Sequence, residues 1–349
     1  IRWLWPSAQA EGALCSCPVT AEALTGALRA MAQQGNTPFG VYVTSPDYLG
    51  GVQDIPALAA VCRAQGVPLL VDNAHGAYLR FLPQNCHPIA QGAAMCCDSA
   101  HKTLPVVTGG AYLHLAHDAP VQDEAAVRGA LALFGSTSPS YLILQSLDAC
   151  NAVLAGDYPR RLVQCCAALE GLRRSLNKAA AARQCPVPLA VAGAQQEPMK
   201  LTLDAAALGC TGTALADALR RAQLECEYAD PRYVVLMFTP ENPPQDYTRL
   251  QATLEQLLAA VPAGLPRPEN RAGEFAALQQ QAAQRCTIRQ AVLGAQVRIP
   301  VHKALGRVCA MPTVSCPPAI PVAVSGEEIT PAAIVLMQRY GIEELSVLR

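Results

Sequence analysis

The chain has 349 residues, with 26 Lys+Arg against 27 Asp+Glu, a formal net charge of −1, 51% hydrophobic and 15% charged residues. So much apolar material excludes an intrinsically disordered chain, and the balanced charge argues against a general nucleic-acid binder, which carries a basic excess or a basic face. No apolar run reaches the ~20 residues that a membrane-crossing helix needs, and no basic-then-apolar signal peptide opens the chain.

At one domain per ~150 residues the length predicts two or three domains. The first residue is Ile1, and Ile1-Arg2-Trp3-Leu4-Trp5 reads as a strand already inside a domain, so an upstream part is expected. Val41-Tyr42-Val43 is a strand candidate, and Ile55 to Gln65 is helical, with Leu58, Ala59, Val61 and Cys62 recurring at helical spacing before Gly66-Val67-Pro68 stops it. Leu69-Leu70-Val71, Ala93 to Cys97 and Gly110 to Leu115 are short strands. This rhythm predicts an α/β fold with a mainly parallel sheet covered by helices. Such sheets carry their sites at the carboxyl ends of the strands, which puts Asp72 and Asp98 in site positions. From Tyr141 to Ala182 the chain is helical, with Arg160, Arg161, Arg173 and Arg174 as a solvated face. Lys200 to Leu203, Thr213 to Gln223, Tyr233 to Phe238 and Asp246 to Val261 read as strand, helix, strand and helix of a smaller α/β domain. The linker Pro262-Ala263-Gly264-Leu265-Pro266-Arg267-Pro268 precedes a C-terminal α+β domain. The expected division is 1–150, 151–262 and 269–349.

Fifteen cysteines are scattered without a Cys-x-x-Cys pair, which predicts small core residues in a reducing cytoplasm rather than a disulfide framework or a zinc site. His114 and His117 stand three apart with no third ligand nearby in sequence, so no metal centre is expected. No Gly-x-Gly-x-x-Gly follows a strand, which argues against a dinucleotide site.

Of the four lysines, Lys178 reads as solvated, Lys200 as an edge or rim residue, and Lys303 as remote from the strand–helix repeat. Lys102 stands out in Asp98-Ser99-Ala100-His101-Lys102-Thr103-Leu104-Pro105, directly after a buried strand. A partly desolvated lysine there has the lowered pKa an imine-forming amine needs. Asp72 lies in Val71-Asp72-Asn73-Ala74-His75-Gly76. A carboxylate at the end of a buried strand calls for a cationic partner. A lysine for an aldehyde and an aspartate for a protonated ring nitrogen are what pyridoxal 5'-phosphate chemistry requires.

These two runs, with Val43-Thr44-Ser45-Pro46-Asp47-Tyr48-Leu49-Gly50, Gly135-Ser136-Thr137-Ser138-Pro139-Ser140-Tyr141 and Cys316-Pro317-Pro318-Ala319-Ile320-Pro321 followed by Gly326-Glu327, resemble the Orn/Lys/Arg decarboxylase family of fold-type-I pyridoxal-phosphate enzymes. The resemblance implies that Lys102 binds the cofactor aldehyde and Asp72 holds its ring nitrogen protonated. It further implies that Ser99 and His101 reach its phosphate and His75 lies beside its ring. Lys102 or His101 would return the proton to the substrate Cα. Thr137 and Ser138 would approach a neighbouring subunit's phosphate, which implies a homodimer or larger assembly with shared sites. Glu327 would face the distal amine or guanidinium of a basic amino-acid substrate, and the product would be a diamine or agmatine. Asp47 stands where the family more often has Thr, and Cys316, Ala319 and Ser325 replace the usual Tyr, Gly and Pro. The competing readings are an aminotransferase or lyase, for which Arg232 is the candidate carboxylate-binding arginine, and a non-catalytic remnant acting as an assembly subunit.

Overall fold

The computed structural model describes residues 2–5, 15–16, 18–136, 138–189, 196–266, 283–311 and 321–349. Thr137 and the 316–320 part of the proline-rich motif lie outside the described residues. Residues 2–5, expected as a strand, have no regular structure.

The first sheet has four strands in the order β1 (Val41–Thr44), β2 (Leu69–Asp72), β3 (Met95–Ser99), β4 (Ala111–Leu115). The β1–β2 and β2–β3 pairs are parallel, and β4 closes the edge antiparallel. Helix α1 (Ala21–Gln33) starts where the Thr20 side chain accepts from Ala23 N–H, and α2 (Ile55–Ala64) where Asp54 does the same for Ala57. Leu24 and Leu28 of α1 and Ile55, Leu58, Ala59 and Cys62 of α2 pack onto Val41, Val43, Leu69, Val71 and Cys96. Strand alternation does the rest. Val41 and Val43 are buried while Tyr42 and Thr44 are exposed, and in β3 Cys96 and Asp98 are buried while Cys97 is exposed. Asp72 sits opposite Cys97 in the register and therefore shares its face, away from α1 and α2.

The four-residue helix α3 (Ala100–Thr103) follows β3 directly. Helix α4 (Glu124–Ala132) buries none of its residues, and α5 (Tyr141–Ala155) buries only Cys150. Between and along them Leu131, Leu133, Phe134, Tyr141 and Leu142 are exposed, Phe134 to 94% and Tyr141 to 83%.

Helix α6 (Tyr158–Ala182) buries Tyr158, Leu162, Cys165, Leu169, Leu172, Leu176 and Ala180, one stripe at helical spacing. That stripe packs against Leu201, Leu203, Val234 and Leu236 of the second sheet and Leu250 and Leu254 of α8 (Pro244–Ala260). Arg173 departs from the expected solvated face. Its Nη2 donates to the carbonyls of Pro198 and Lys200 at 2.9 and 2.5 Å, because the next sheet runs directly beneath it.

The second sheet, β5 (Lys200–Asp204), β6 (Tyr228–Ala229) and β7 (Tyr233–Met237), has the order β5-β7-β6 with both pairings antiparallel. Helix α7 (Gly212–Arg221) connects β5 to β6, and β7 returns by a tight turn between them. Beyond the linker, α9 (Ile288–Leu293) opens with a Thr287–Gln290 capping box, and β8 (Gln296–Pro300) pairs antiparallel with β9 (Glu344–Leu348). The last helix, α10 (Pro331–Arg339), buries Ala333, Leu336 and Met337 against Val301, Ile329, Leu345 and Val347. Among the described residues no helix is long and apolar enough to cross a membrane.

Candidate active site

Asp72 is the last residue of β2, and Lys102 lies in α3, just beyond the neighbouring strand β3. The strand ends thus bring the two predicted residues to one edge of the sheet. The Asp72 carboxylate accepts from the Tyr42 hydroxyl at 3.0 Å and from Ala74 N–H at 3.0 Å. These bonds fix its rotamer at the end of the strand. The turn that follows is tight, and Gly76 has no room for a Cβ, which would run into the Asn73 side chain and Leu79.

His75, on that turn, is buried, and its Nε2 accepts from Lys102 Nζ at 3.3 Å. Burial first, then the charges of Lys200, Lys102 and His101, push its pKa down to about 2. The ring is therefore neutral, and acceptance at Nε2 leaves the proton on Nδ1, a buried donor without a partner. Tyr48 packs edge-on against the same ring, with centroids 5.0 Å apart. His101 is oriented by a bond from Nδ1 to the Gly110 carbonyl at 2.9 Å, which leaves Nε2 as the ring's acceptor. Ser99 caps α3 by position, yet its hydroxyl makes no capping bond.

The depressed His75 pKa has a measurable consequence. A group that binds its proton less readily in the folded state than at its ordinary 6.5 leaves the unfolded chain holding more protons, so stability rises with pH. The contribution is whole above 6.5 and is lost progressively as pH falls toward about 2. Between those two values the expected slope is up to about 1.4 kcal/mol per pH unit from this residue. Urea unfolding between about pH 7 and pH 5 is expected to show a shallower decline for His75→Gln than for the wild type. Equal slopes would mean that His75 titrates alike in the folded and the unfolded chain.

Lys200 is not the rim residue its sequence position suggests. It is 2% exposed, and its Nζ donates to the carbonyls of Asp47 and Tyr48 at 3.0 and 3.2 Å. Burial pulls its pKa down, opposed by Glu197 and Asp47. Asp47 is buried too, and accepts from Gly51 N–H at 2.8 Å, pinning its own turn. Glu197 accepts from the Tyr78 hydroxyl and from Met199 N–H, and burial raises its pKa. No spacing rule announces this network, since its halves lie about 150 residues apart in sequence. Lys178 is exposed, as expected, and Lys303 is exposed too.

Asp98 does not face the Lys102 site. Its position within β3 turns it to the opposite face from Asp72, where it accepts from His87 Nε2 and His114 Nε2, both at 3.0 Å, and from Asn73 Nδ2 at 2.7 Å. Burial alone would raise this carboxyl; the hydrogen bonds from His114 and His87, the charge of His87 and the bond from Asn73 outweigh it and hold it well below the usual range. His117, three residues beyond His114, is exposed. Arg232 is held in a two-pronged pair with Asp204, its Nη2 2.7 Å from the carboxylate, and it lies over the Tyr233 ring. That structural engagement removes the observation on which an aminotransferase reading would rest. Glu327 lies in the C-terminal unit and accepts from Val324 N–H at 2.9 Å; among the described residues nothing links it to Lys102 or Asp72. Ser138 is exposed in the α4–α5 loop, bonded to Ser136.

A family model described as Orn/Lys/Arg decarboxylase, major domain, matches residues 3–195. The arginine decarboxylase of Bacillus subtilis is 28% identical over 318 residues, which cover 88% of this chain and 62% of that protein. An uncharacterized Bacillus subtilis protein, YaaO, is 29% identical over 325 residues, covering 86% and 61% respectively. The chain thus spans about three fifths of the length of these relatives. Among solved structures, the constitutive lysine decarboxylase of E. coli superposes with a TM-score of 0.70 at 18% identity, over all of this chain and 64% of that one. An alanine–glyoxylate aminotransferase from Nostoc superposes at 0.53 and 18% identity, over 69% and 66%. The architecture is that of fold-type-I pyridoxal-phosphate enzymes. With Asp72 and Lys102 at adjacent strand ends on this architecture and the family model matching more than half its length, the chain belongs to the Orn/Lys/Arg decarboxylase family.

Proposed function

We propose that the protein decarboxylates a basic amino acid, lysine, arginine or ornithine, to carbon dioxide and a diamine or agmatine. The observation that carries this reading is the meeting of Lys102 and the neutral, buried His75 beside the strand end that holds Asp72. The donor set fits pyridoxal phosphate: an amine for the aldehyde, a carboxylate for the ring nitrogen, a Ser99 hydroxyl without a capping bond, an oriented His101, and a buried His75 Nδ1–H without a partner.

When bound, pyridoxal phosphate supplies an electron sink for the bond to the departing carboxylate. Asp72 holds the proton on the ring nitrogen, and Tyr42 and Ala74 keep its carboxylate in place. Lys102 would anchor the cofactor through Nζ, and Lys102 or His101 would return the proton to Cα. His75 orients Nζ without competing for its proton, because its own ring is neutral. Ser99 and His101 bind the phosphate, His101 with its ring fixed by Gly110.

In the same reading, 1–150, 151–262 and 269–349 are the cofactor-binding, connecting and C-terminal parts. Ser138, and Thr137 beside it, serve the neighbouring subunit of a homodimer. The exposed Leu133, Phe134, Tyr141 and Leu142 that flank them support this, because contiguous apolar surface of that kind marks an interface. Glu327 recognises the distal cation of the substrate. The thirteen described cysteines are all free, which supports a reducing, cytoplasmic setting.

The test is carbon dioxide release by the purified chain supplied with pyridoxal phosphate and, in turn, lysine, arginine and ornithine. Turnover of one of them is expected. One methylene discriminates by only ~1–3 kcal/mol, so lysine and ornithine should differ by a modest ratio. Binding of the cofactor with turnover of none of the three would overturn the reading.

A further inference from the structure

We propose that His87, Asp98 and His114 form a binding site for one divalent transition-metal cation of the zinc class. The two Nε2 atoms converge on a single oxygen, each 3.0 Å from Asp98 Oδ2. Their rings stand 5.0 Å apart and nearly perpendicular, at 80°. All three residues can offer a ligand atom within one 4.8 Å cluster. Ligand atoms each ~2.0–2.2 Å from a tetrahedral zinc ion lie about 3.3 Å from one another. The pairs involving Asp98 Oδ2 need to open by only a few tenths of an ångström to admit the ion. Two imidazoles and a carboxylate form a donor set that suits zinc better than magnesium or calcium.

The surroundings are those of a supported site. Asn73 Nδ2 donates to the other carboxylate oxygen, Oδ1, at 2.7 Å, which orients Oδ2 toward the imidazoles. Asn73 is itself fully buried. His87 is placed by its own backbone N–H bonding to Asn85 Oδ1. Strand pairing places His114 opposite Cys96, on the same face as Asp98 two residues on. Cys96 Sγ lies 3.6 Å from His87 Nε2 and adds a soft donor beside the cluster. His87 and Asp98 are buried, whereas the His114 side chain is 39% exposed, which leaves a route from solvent and a position for a bound water. The cluster faces away from Asp72, so it is separate from the Lys102 site.

The experiment uses the full chain, stripped with a chelator and titrated with Zn(II) against a chromophoric competitor and with Co(II) by visible absorption. One equivalent is expected to bind, with the absorption of a four-coordinate cobalt site and an increase in Tm on adding zinc. His114→Ala is expected to weaken binding by about 100-fold or more and to abolish the increase in Tm. Its half-exposed side chain leaves the core intact, so this variant decides even where Asp98→Asn or His87→Ala fails to fold; circular dichroism reports folding. Lys102→Ala is expected to bind the metal as the wild type does. Absence of stoichiometric binding, or unchanged affinity in His114→Ala, would overturn the proposal and leave a hydrogen-bonded His–Asp–His cluster.

Discussion

Lys102→Ala is expected to remove both the visible band of lysine-bound cofactor and carbon dioxide release, the latter by ~10³-fold or more. Loss of one proton-transferring group alone costs ~10²–10⁴-fold, and here the same atom is also the covalent anchor. The folded structure should survive, because among the described residues Nζ hydrogen-bonds His75 Nε2 alone and the side chain is half-buried. An unchanged far-ultraviolet spectrum with no visible band is the expected pair of results. A retained band would mean that another amine holds the cofactor. The three other lysines are poor substitutes, since Lys178 and Lys303 are exposed and Lys200 is tied to two carbonyls.

The second large effect is expected at Asp72→Asn, which keeps shape and removes charge. An asparagine oxygen can still accept from Tyr42 or Ala74, so β2 and its turn should hold. The ring nitrogen loses the anion that keeps it protonated. Removing one such preorganised electrostatic partner costs ~10²–10³-fold in kcat, and cofactor binding should persist in a titration. Activity within about tenfold of wild type would refute the assigned role of Asp72, whatever the fate of Lys102.

The two residues at the heart of this site were legible because strand ends are legible. Leu69-Leu70-Val71 and Met95-Cys96-Cys97 are short apolar runs bounded by polar residues, and both are strands. The second of these runs extends further than expected: β3 continues through Asp98 and Ser99, two residues beyond Cys97. That extension turns Asp98 to the far face from Asp72, so a carboxylate expected at a strand-end site position binds His87 and His114 instead. Helices α1 and α4 each start at a capping side chain, Thr20 or Asp123; α1 has an apolar stripe through Leu24 and Leu28 that the sequence shows, whereas α4 buries none of its residues. Strand β6 is only two residues long and exists through its pairing with β7. Lys200 and Arg173 were misplaced for one reason. Their partners are backbone carbonyls, which every residue carries, so no sequence pattern marks them.

The tether at Lys200 also sets an order of assembly. Lys200 Nζ reaches Asp47 across 153 residues of chain, and Thr202 Oγ1 reaches the Leu49 carbonyl across another 153. Glu197 N–H adds a bond to Gly50 O. Gly50 makes this approach possible, since it adopts a left-handed φ of +93° with Lys200 against its open side. The loop so fastened carries Tyr48, which walls one side of His75. During synthesis at ~5–20 residues per second, Lys200 follows Asp47 by roughly 8–30 s. For that interval the nascent first sheet has Lys102 and Asp72 but not the clamp that seats Tyr48. Seating of Tyr48 against His75 thus waits on the second sheet, so the wall of this pocket is the last part of it to be fixed.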